Sequence, residues 1–250
     1  MNRLNNKVAI VTGASSGVGN GVAKVLASEG ARVCVCARRK ELLDQLVDEI
    51  KQAGGEGIAV VCDVSDPQQI KHVVKTCVDT FGGVDILANL AQGSMTYKEI
   101  SDVDVDYALN AYKSGPLASM LFMQECLPYL KKSGQGRIIN TASSAGYDGN
   151  TGFVAYGMAK EAIRALTRHA ANEWGKYGIT VNAFLPIIAT DNFRNTQPAA
   201  LAALEKASPL QRIGSVDKDC GPFIAFLASD ESSYLTGQSF MLDGGIHKHS

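Results

Sequence analysis

The 250-residue chain is predicted to be an α/β protein: a doubly wound parallel sheet of about seven strands with helices on both faces. Three observations carry this expectation. Short apolar runs alternate with longer amphipathic ones along the whole chain. The first run, KVAIVT, is almost continuously apolar, as a parallel strand covered on both sides must be. No linker, repeat or low-complexity stretch divides residues 1–250, so a single domain is expected.

Residues 7–12 are the first strand, and 18–28 follow with helical apolar spacing. Residues 32–37 form a second strand. Residues 40–53 form a helix, with Leu42, Leu43, Leu46, Val47 and Ile50 on one stripe. Residues 57–62 are the third strand. Asp66 suits a helix cap, and Pro67 suits the first helical position, where a missing N–H costs nothing. Residues 84–89 are the fourth strand and 103–132 one long helix. The fifth strand is 137–142, a long helix is 154–176, and the sixth strand is 179–185. Residues 216–228 read as helix and 238–242 as the last strand. Right-handed βαβ connections place these helices on both faces. Segment 191–210 breaks the alternation; it is Ala-rich, carries Pro198 and Pro209, and is expected to be a mobile flap over a site.

Composition narrows the function classes. Charged residues are 20% and the net charge is −1, without a Lys/Arg run, which argues against binding to nucleic acid. No apolar run reaches the ~20 residues of a membrane span. The start is polar (Asn2, Arg3, Asn5, Asn6, Lys7) and lacks the long apolar segment of a signal peptide, so a cytoplasmic location is expected. Six cysteines lack the spacing of a metal site; Cys34 and Cys36 share one strand face and read as buried, reduced thiols. No metal is expected.

The chemistry begins at the first turn. The first strand runs into Thr12-Gly13-Ala14-Ser15-Ser16-Gly17-Val18-Gly19, and then directly into a helix. Glycines there let the backbone turn sharply and approach a pyrophosphate seated on the helix N-terminus. The spacing Gly-x-x-x-Gly-x-Gly resembles the TGxxxGxG element of the short-chain dehydrogenases/reductases, a Rossmann-like family. The resemblance extends along nearly the whole chain. Asp63-Val64 is similar to the family's adenine-contacting pair. Tyr156-Gly-Met-Ala-Lys160 matches YxxxK, and Ser143 lies thirteen residues before the tyrosine. Val181-Asn182-Ala183 with Pro186, Tyr234-Leu-Thr-Gly-Gln and Asp243-Gly-Gly match further signatures.

This resemblance implies a nicotinamide cofactor. The implied contacts are Gly13, Ser15, Ser16, Gly17, Val18, Gly19, Asp63, Val64, Asn89, Ala91, Tyr156, Lys160, Pro186, Ile188 and Thr190. NAD-specific relatives usually end the second strand with an acid. Here Ala37 stands there, followed by Arg38 and Arg39, whose forked donors suit a 2′-phosphate. NADP(H) is expected rather than NAD(H), although Ser16 stands where many NADP-using relatives carry a basic residue. The implied roles are Tyr156 as acid/base, Lys160 as its electrostatic partner and holder of the nicotinamide ribose, and Ser143 as donor to the substrate oxygen. Four residues apart on a helix, Tyr156 and Lys160 share a face, and the lysine charge is expected to lower the tyrosine pKa.

Three departures from the family cluster near the nicotinamide end. The fourth strand ends Asn89-Leu90-Ala91-Gln92 instead of Asn-Asn-Ala-Gly. The usual asparagine of the fourth helix is missing: counting back from Ser143 reaches Gly115, and matching the upstream helix reaches Tyr112. Asn110 is the nearest candidate, but on a regular helix it lies about 140° away from Gly115. The usual Pro-Gly after the sixth strand is Pro186-Ile187.

The candidate substrate pocket comprises Ser94, Met95, Ala145, Tyr147, Phe153, Ile187, Ile188 and Phe193, mostly apolar or small, which suits an apolar ketone or secondary alcohol. The histidines do not read as catalytic: His72 lies mid-helix, His169 on a helix surface, and His247 and His249 in a frayed tail. Relatives pair their fourth and fifth long helices across a two-fold axis, so a homodimer or homotetramer is expected. Met120, Leu121, Met123, Ala165, Leu166 and Trp174 would bury there or against the sheet. The leading reading is an NADPH-linked carbonyl reductase or alcohol dehydrogenase. The alternatives are a 3-oxoacyl-thioester reductase and a non-catalytic dinucleotide-binding protein of the same fold.

Overall fold

The computed structural model describes residues 2–93 and 96–248; the candidates Ser94, Met95 and His249 lie outside the described residues. Seven strands pair in parallel: β1 Val8–Thr12, β2 Arg32–Ala37, β3 Glu56–Val61, β4 Ile86–Asn89, β5 Arg137–Thr141, β6 Thr180–Pro186 and β7 Ser239–Leu242. Their order across the sheet is β3-β2-β1-β4-β5-β6-β7. The chain winds outward from β1 to β3, then crosses back to lay β4 against the other side of β1. That reversal opens a crevice above the carboxyl ends of β1 and β4, where doubly wound sheets bind ligands.

The strand residues alternate between two cores, which is why both faces had to be apolar. Ala9 and Val11 of β1 enter one core, with Val33 and Val35 of β2; Val8, Ile10, Cys34 and Cys36 enter the other. On the first face pack α1 (Gly17–Ser28), α2 (Lys40–Gln52) and α10 (Gly221–Ala228), through Val22, Leu26, Leu43, Leu46 and Ile224. On the second pack α3 (Pro67–Phe81), α5 (Ala118–Ser133) and α7 (Val154–Trp174), through Ile70, Val73, Phe122, Leu130 and Ala170. The start of α3 is as expected: the Asp66 carboxylate accepts the N–H groups of Gln68 and Gln69, and Pro67 opens the helix.

The helix expected over 103–132 is broken into three. It comprises α4 (Val105–Tyr112), a π-turn (Lys113–Leu117) and α5. Pro116 lies inside the turn and has no N–H for the helical ladder, so the register widens there. Three short helices were not anticipated as such. Ser144–Asp148 forms α6 after β5, and segment 191–210 folds into α8 (Asp191–Thr196) and α9 (Pro198–Ala207).

All six cysteines are free and buried. Among the described residues, no group of three or more His, Cys, Asp or Glu could hold a metal ion, and no helix is long and apolar enough to cross a membrane.

Candidate active site

A cleft of about 490 Å³ opens at the carboxyl ends of β1 to β4. Each strand delivers a short wall. Gly13, Ser15 and Ser16 follow β1; Ala37, Arg38 and Arg39 end β2; Cys62, Asp63, Val64 and Ser65 follow β3; Leu90, Ala91, Gln92 and Gly93 follow β4. Asn110 of α4 and Ser114 of the π-turn close the side.

The glycine turn is packed as tightly as its spacing implied. Gly13 has φ +69°, and a Cβ there would sit 2.9 Å from Ala91 Cα. A Cβ on Gly19 would sit 2.4 Å from the Gly13 carbonyl oxygen. The Thr12 hydroxyl accepts the N–H groups of Leu90 (2.9 Å) and Ala91 (3.0 Å), tying the turn to the end of β4. What remains exposed is backbone at the start of α1, a cradle suited to a phosphate ester. The Arg39 guanidinium donates to Ser15 Oγ (2.9 Å) and Ser16 Oγ (2.7 Å), bracing a cation over the turn. Arg38 stands exposed beside it, and Ala37 provides no acid to offset either charge. Asp63 accepts the Ser65 N–H (2.9 Å), while its own N–H donates to Gln69 Oε1 (2.8 Å), which shapes the β3 wall.

Other expected cofactor contacts are placed less directly. Gly17 (φ +60°) lies beside Thr190, whose Cγ2 is 3.4 Å from where a Cβ would be. Val18 and Ile188 pack into the first core, and Pro186 ends β6. Asn89 does not line the cleft. Its side chain is buried and donates to Asn140 Oδ1 (2.9 Å), because the β4–β5 register sets these two residues opposite each other. Cys62, Ser65, Leu90, Gln92, Gly93 and Ser114 line the cleft without having been singled out as contacts. Most are strand-end positions that the topology rule alone would flag; Ser114 depends on the π-turn.

The candidate reacting groups come from β5 and α7. Ser143 follows β5 and caps α6, its Oγ accepting the Ala145 N–H (3.2 Å). Tyr156 and Lys160 lie one turn apart on α7, with Ser143 beside the Tyr156 hydroxyl. Lys160 is buried; its Nζ donates to the Thr141 carbonyl (2.8 Å) and lies 5.4 Å from the centre of the Tyr156 ring. The electrostatics differ from expectation. Burial pushes the Tyr156 hydroxyl above its ordinary value, with the Ser143 bond pulling weakly the other way. Burial lowers Lys160 to about 7. A lysine half-neutral near pH 7 cannot depress its neighbour as a permanent cation would, so desolvation decides both shifts.

Asn110 does reach the cleft. It lines the wall with Ser114, four residues on, while Gly115 is not among the lining residues.

The substrate candidates divide. Ala145 and Phe153 line a separate pocket of about 600 Å³ with Ile100, Gly157 and Met158, but neither Ser143 nor Tyr156 lines it. Tyr97 meets the Phe153 ring edge-on at 6.4 Å. Tyr147, Ile187 and Phe193 lie outside that pocket; Tyr147 is exposed with the Arg164 guanidinium 5.8 Å from its ring centre. His169 is exposed, as expected, and so is His72. His247 is not in a frayed end: its Nδ1 lies 2.7 Å from Asp243 Oδ2 and its Nε2 2.9 Å from Asp148 Oδ2, so it ties the C-terminal segment to α6.

With this geometry in place, known proteins can be compared. A family model described as enoyl-(acyl carrier protein) reductase matches residues 13–247. The chain is 35% identical to a 12α-hydroxysteroid dehydrogenase of Clostridium sp., covering 98% of each chain. It is 34% identical to a 3-oxoacyl-[acyl-carrier-protein] reductase of Staphylococcus epidermidis, covering 97% of this chain and 99% of the relative. A solved structure from Agrobacterium tumefaciens, described as a candidate gluconate dehydrogenase, superposes with a TM-score of 0.91 at 28% identity, over 97% of this chain and 96% of the other. The chain belongs to the short-chain dehydrogenase/reductase family of oxidoreductases, which bind a nicotinamide dinucleotide.

Proposed function

We propose that this protein is an NADP(H)-dependent oxidoreductase that interconverts a ketone and a secondary alcohol. One observation supports the reading: Ser143 stands beside the Tyr156 hydroxyl, Lys160 Nζ lies 5.4 Å from the Tyr156 ring centre, and the cleft at the strand ends carries Arg38 and Arg39 and no acid at position 37. The glycine turn, Gly13 to Gly19, fits a pyrophosphate, and the two arginines fit a 2′-phosphate by charge and by forked donors. Asp63 and Val64 would border the adenine, and Pro186, Ile188 and Thr190 the nicotinamide side.

When bound, the dinucleotide supplies or accepts the hydride. The chain's own residues handle the proton. Tyr156 donates its phenolic proton to the substrate oxygen as negative charge develops there, and takes one back in the reverse direction. Ser143 turns its hydroxyl to the same oxygen. Lys160, with a pKa of about 7, gains and loses a proton near neutrality behind the tyrosine.

The substrate is an apolar, ring-sized ketone or alcohol, a reading supported by the similarity to a 12α-hydroxysteroid dehydrogenase. The second reading, a 3-oxoacyl-thioester reductase, is favoured by the similarity to the Staphylococcus epidermidis reductase. Helices α8 and α9 form the flap over the substrate, within one domain spanning the chain. The protein acts as a homodimer or homotetramer, supported by Val105, Leu109 and Leu117 exposed on α4 and the π-turn and by Met158 exposed on α7. The six reduced thiols suit the cytoplasm. The test is NADPH consumption across linear, cyclic and steroid ketones and 3-oxoacyl thioesters, with NADH alongside. Turnover of a cyclic ketone with NADPH is expected. Preference for NADH, or for thioesters, would overturn the corresponding part.

A further inference from the structure

The first strand-end departure, Gln92, has a specific partner. Its side chain leaves the end of β4 and enters the π-turn of residues 113–117. Gln92 Nε2 donates to the Ala111 carbonyl (3.2 Å) and lies 3.3 Å from Ser114 Oγ. Ser114 Oγ accepts the Gly93 N–H (3.1 Å) and donates to the Asn110 carbonyl (2.8 Å). At this point the ladder changes register. Pro116 has no N–H to give, either to the carbonyl four residues back or to Ala111 five residues back. The Gln92 amide brings a donor from another part of the chain to that gap.

Gly115 is the other half of the arrangement. A Cβ there would sit 2.5 Å from Gln92 Oε1, an oxygen that is buried with no hydrogen-bond partner. The glycine therefore makes room for the amide against the helix backbone. Gln92, Gly93, Asn110 and Ser114 all line the dinucleotide cleft, so what fixes the turn fixes that wall.

We infer that Gln92 is a positioning residue: it locks the π-turn to the end of β4 and thereby sets the cleft wall formed by Gly93, Asn110 and Ser114. The inference rests on the reading that this cleft holds the dinucleotide. The test is NADPH affinity, by fluorescence, in the full chain and in Gln92→Gly, Gly115→Ala, the double variant and Gln92→Glu, each with a thermal melt. Gly115→Ala should weaken binding about tenfold, although helix propensity alone favours alanine. Adding Gln92→Gly should relieve that loss, leaving the double variant no weaker than Gln92→Gly alone, which is itself several-fold weaker than the unaltered chain. If Gly115→Ala fails to fold, recovery of a cooperative melt in the double variant carries the same point. Gln92→Glu can donate only when its carboxyl is protonated. Its affinity, relative to the unaltered chain, should therefore rise as pH falls from about 8 to about 6, a slope a merely space-filling role would not produce. A double variant as weak as Gly115→Ala, or Gln92→Gly binding like the unaltered chain, would overturn the inference alone. An unaltered chain that binds neither NADPH nor NADH would overturn the cleft reading and this inference with it.

Discussion

The two ends of the cleft are built from different materials. The end at β1 to β3 is made largely of backbone. Gly13 and Gly19 leave no room for a Cβ, Thr12 pins the turn to β4, and Arg39 is braced on Ser15 and Ser16. The end at β4 is made of side chains from distant segments: Gln92 after β4, Asn110 on α4 and Ser114 in the π-turn, while the candidate reacting groups, Ser143 after β5 and Tyr156 and Lys160 on α7, come from outside that lining. A site made of backbone is specified locally, by a few residues in a row. A site made of side chains depends on how whole elements pack, and can be altered without touching the turn.

This contrast can be broken or sharpened by substitution. The largest effect belongs to the reacting end. Tyr156→Phe should lower kcat by about 1,000-fold while leaving the NADPH Kd within about threefold, measured by steady-state kinetics and fluorescence titration. Equal losses in both would mean that the two ends are not separable.

Lys160→Met comes next, and acts on stability in the opposite sense. The folded-state pKa of Lys160 is about 7, below its unfolded value. The folded state therefore binds fewer protons than the unfolded state between about pH 7 and the unfolded pKa of about 10.4. The burial penalty is absent above that window, grows as pH falls through it, and is full below about 7. At ~1.4 kcal/mol per pKa unit the penalty reaches several kcal/mol. Without dinucleotide, Lys160→Met should unfold later in urea than the unaltered chain at pH 7, with the gap closing by about pH 10. A constant gap would contradict the assignment.

At the backbone end, the proposed NADP(H) preference predicts that Arg38→Ala weakens NADPH binding by about tenfold and leaves NADH nearly unchanged, since NADH has no 2′-phosphate for the charge to meet. Equal weakening of both would make Arg38 a general surface charge. The smallest effect is expected for His247→Leu, which removes the imidazole contacts to Asp148 and Asp243 and keeps the backbone N–H bond to Asp243. The melting temperature should fall by a few degrees, from a loss of about 1 kcal/mol. An unchanged melt would mean that the strap contributes nothing.

The same contrast explains what could be read without coordinates. The strands were legible because parallel strands need continuous apolar runs, and the observed bounds differ by a residue or two; their order across the sheet was not read from the sequence. The Asp66-Pro67 start of α3 was legible because capping chemistry is local. The long helix over 103–132 was not, since nothing in its apolar spacing reveals that Pro116 shifts the ladder or that Gln92, more than twenty residues earlier, fills the gap. Asn89 was read as a cofactor contact, but the register opposite Asn140 turns it inward. His247 read as tail because its partners, Asp148 and Asp243, are brought to it only by the folded chain. The expected depression of the Tyr156 pKa is absent because burial, which no spacing reports, raises the tyrosine and lowers the neighbouring lysine.

The central claim is that hydride passes between the dinucleotide and a carbonyl carbon while Tyr156 handles the proton. It is tested most directly with NADPH deuterated at the ring carbon that carries the hydride, incubated with a ketone that the protein reduces. The account predicts deuterium on the carbinol carbon of the alcohol, by mass spectrometry and NMR, and its near-disappearance in Tyr156→Phe although that variant still binds NADPH. An alcohol without the label, or a Tyr156→Phe variant that transfers label as fast as the unaltered chain, would contradict it.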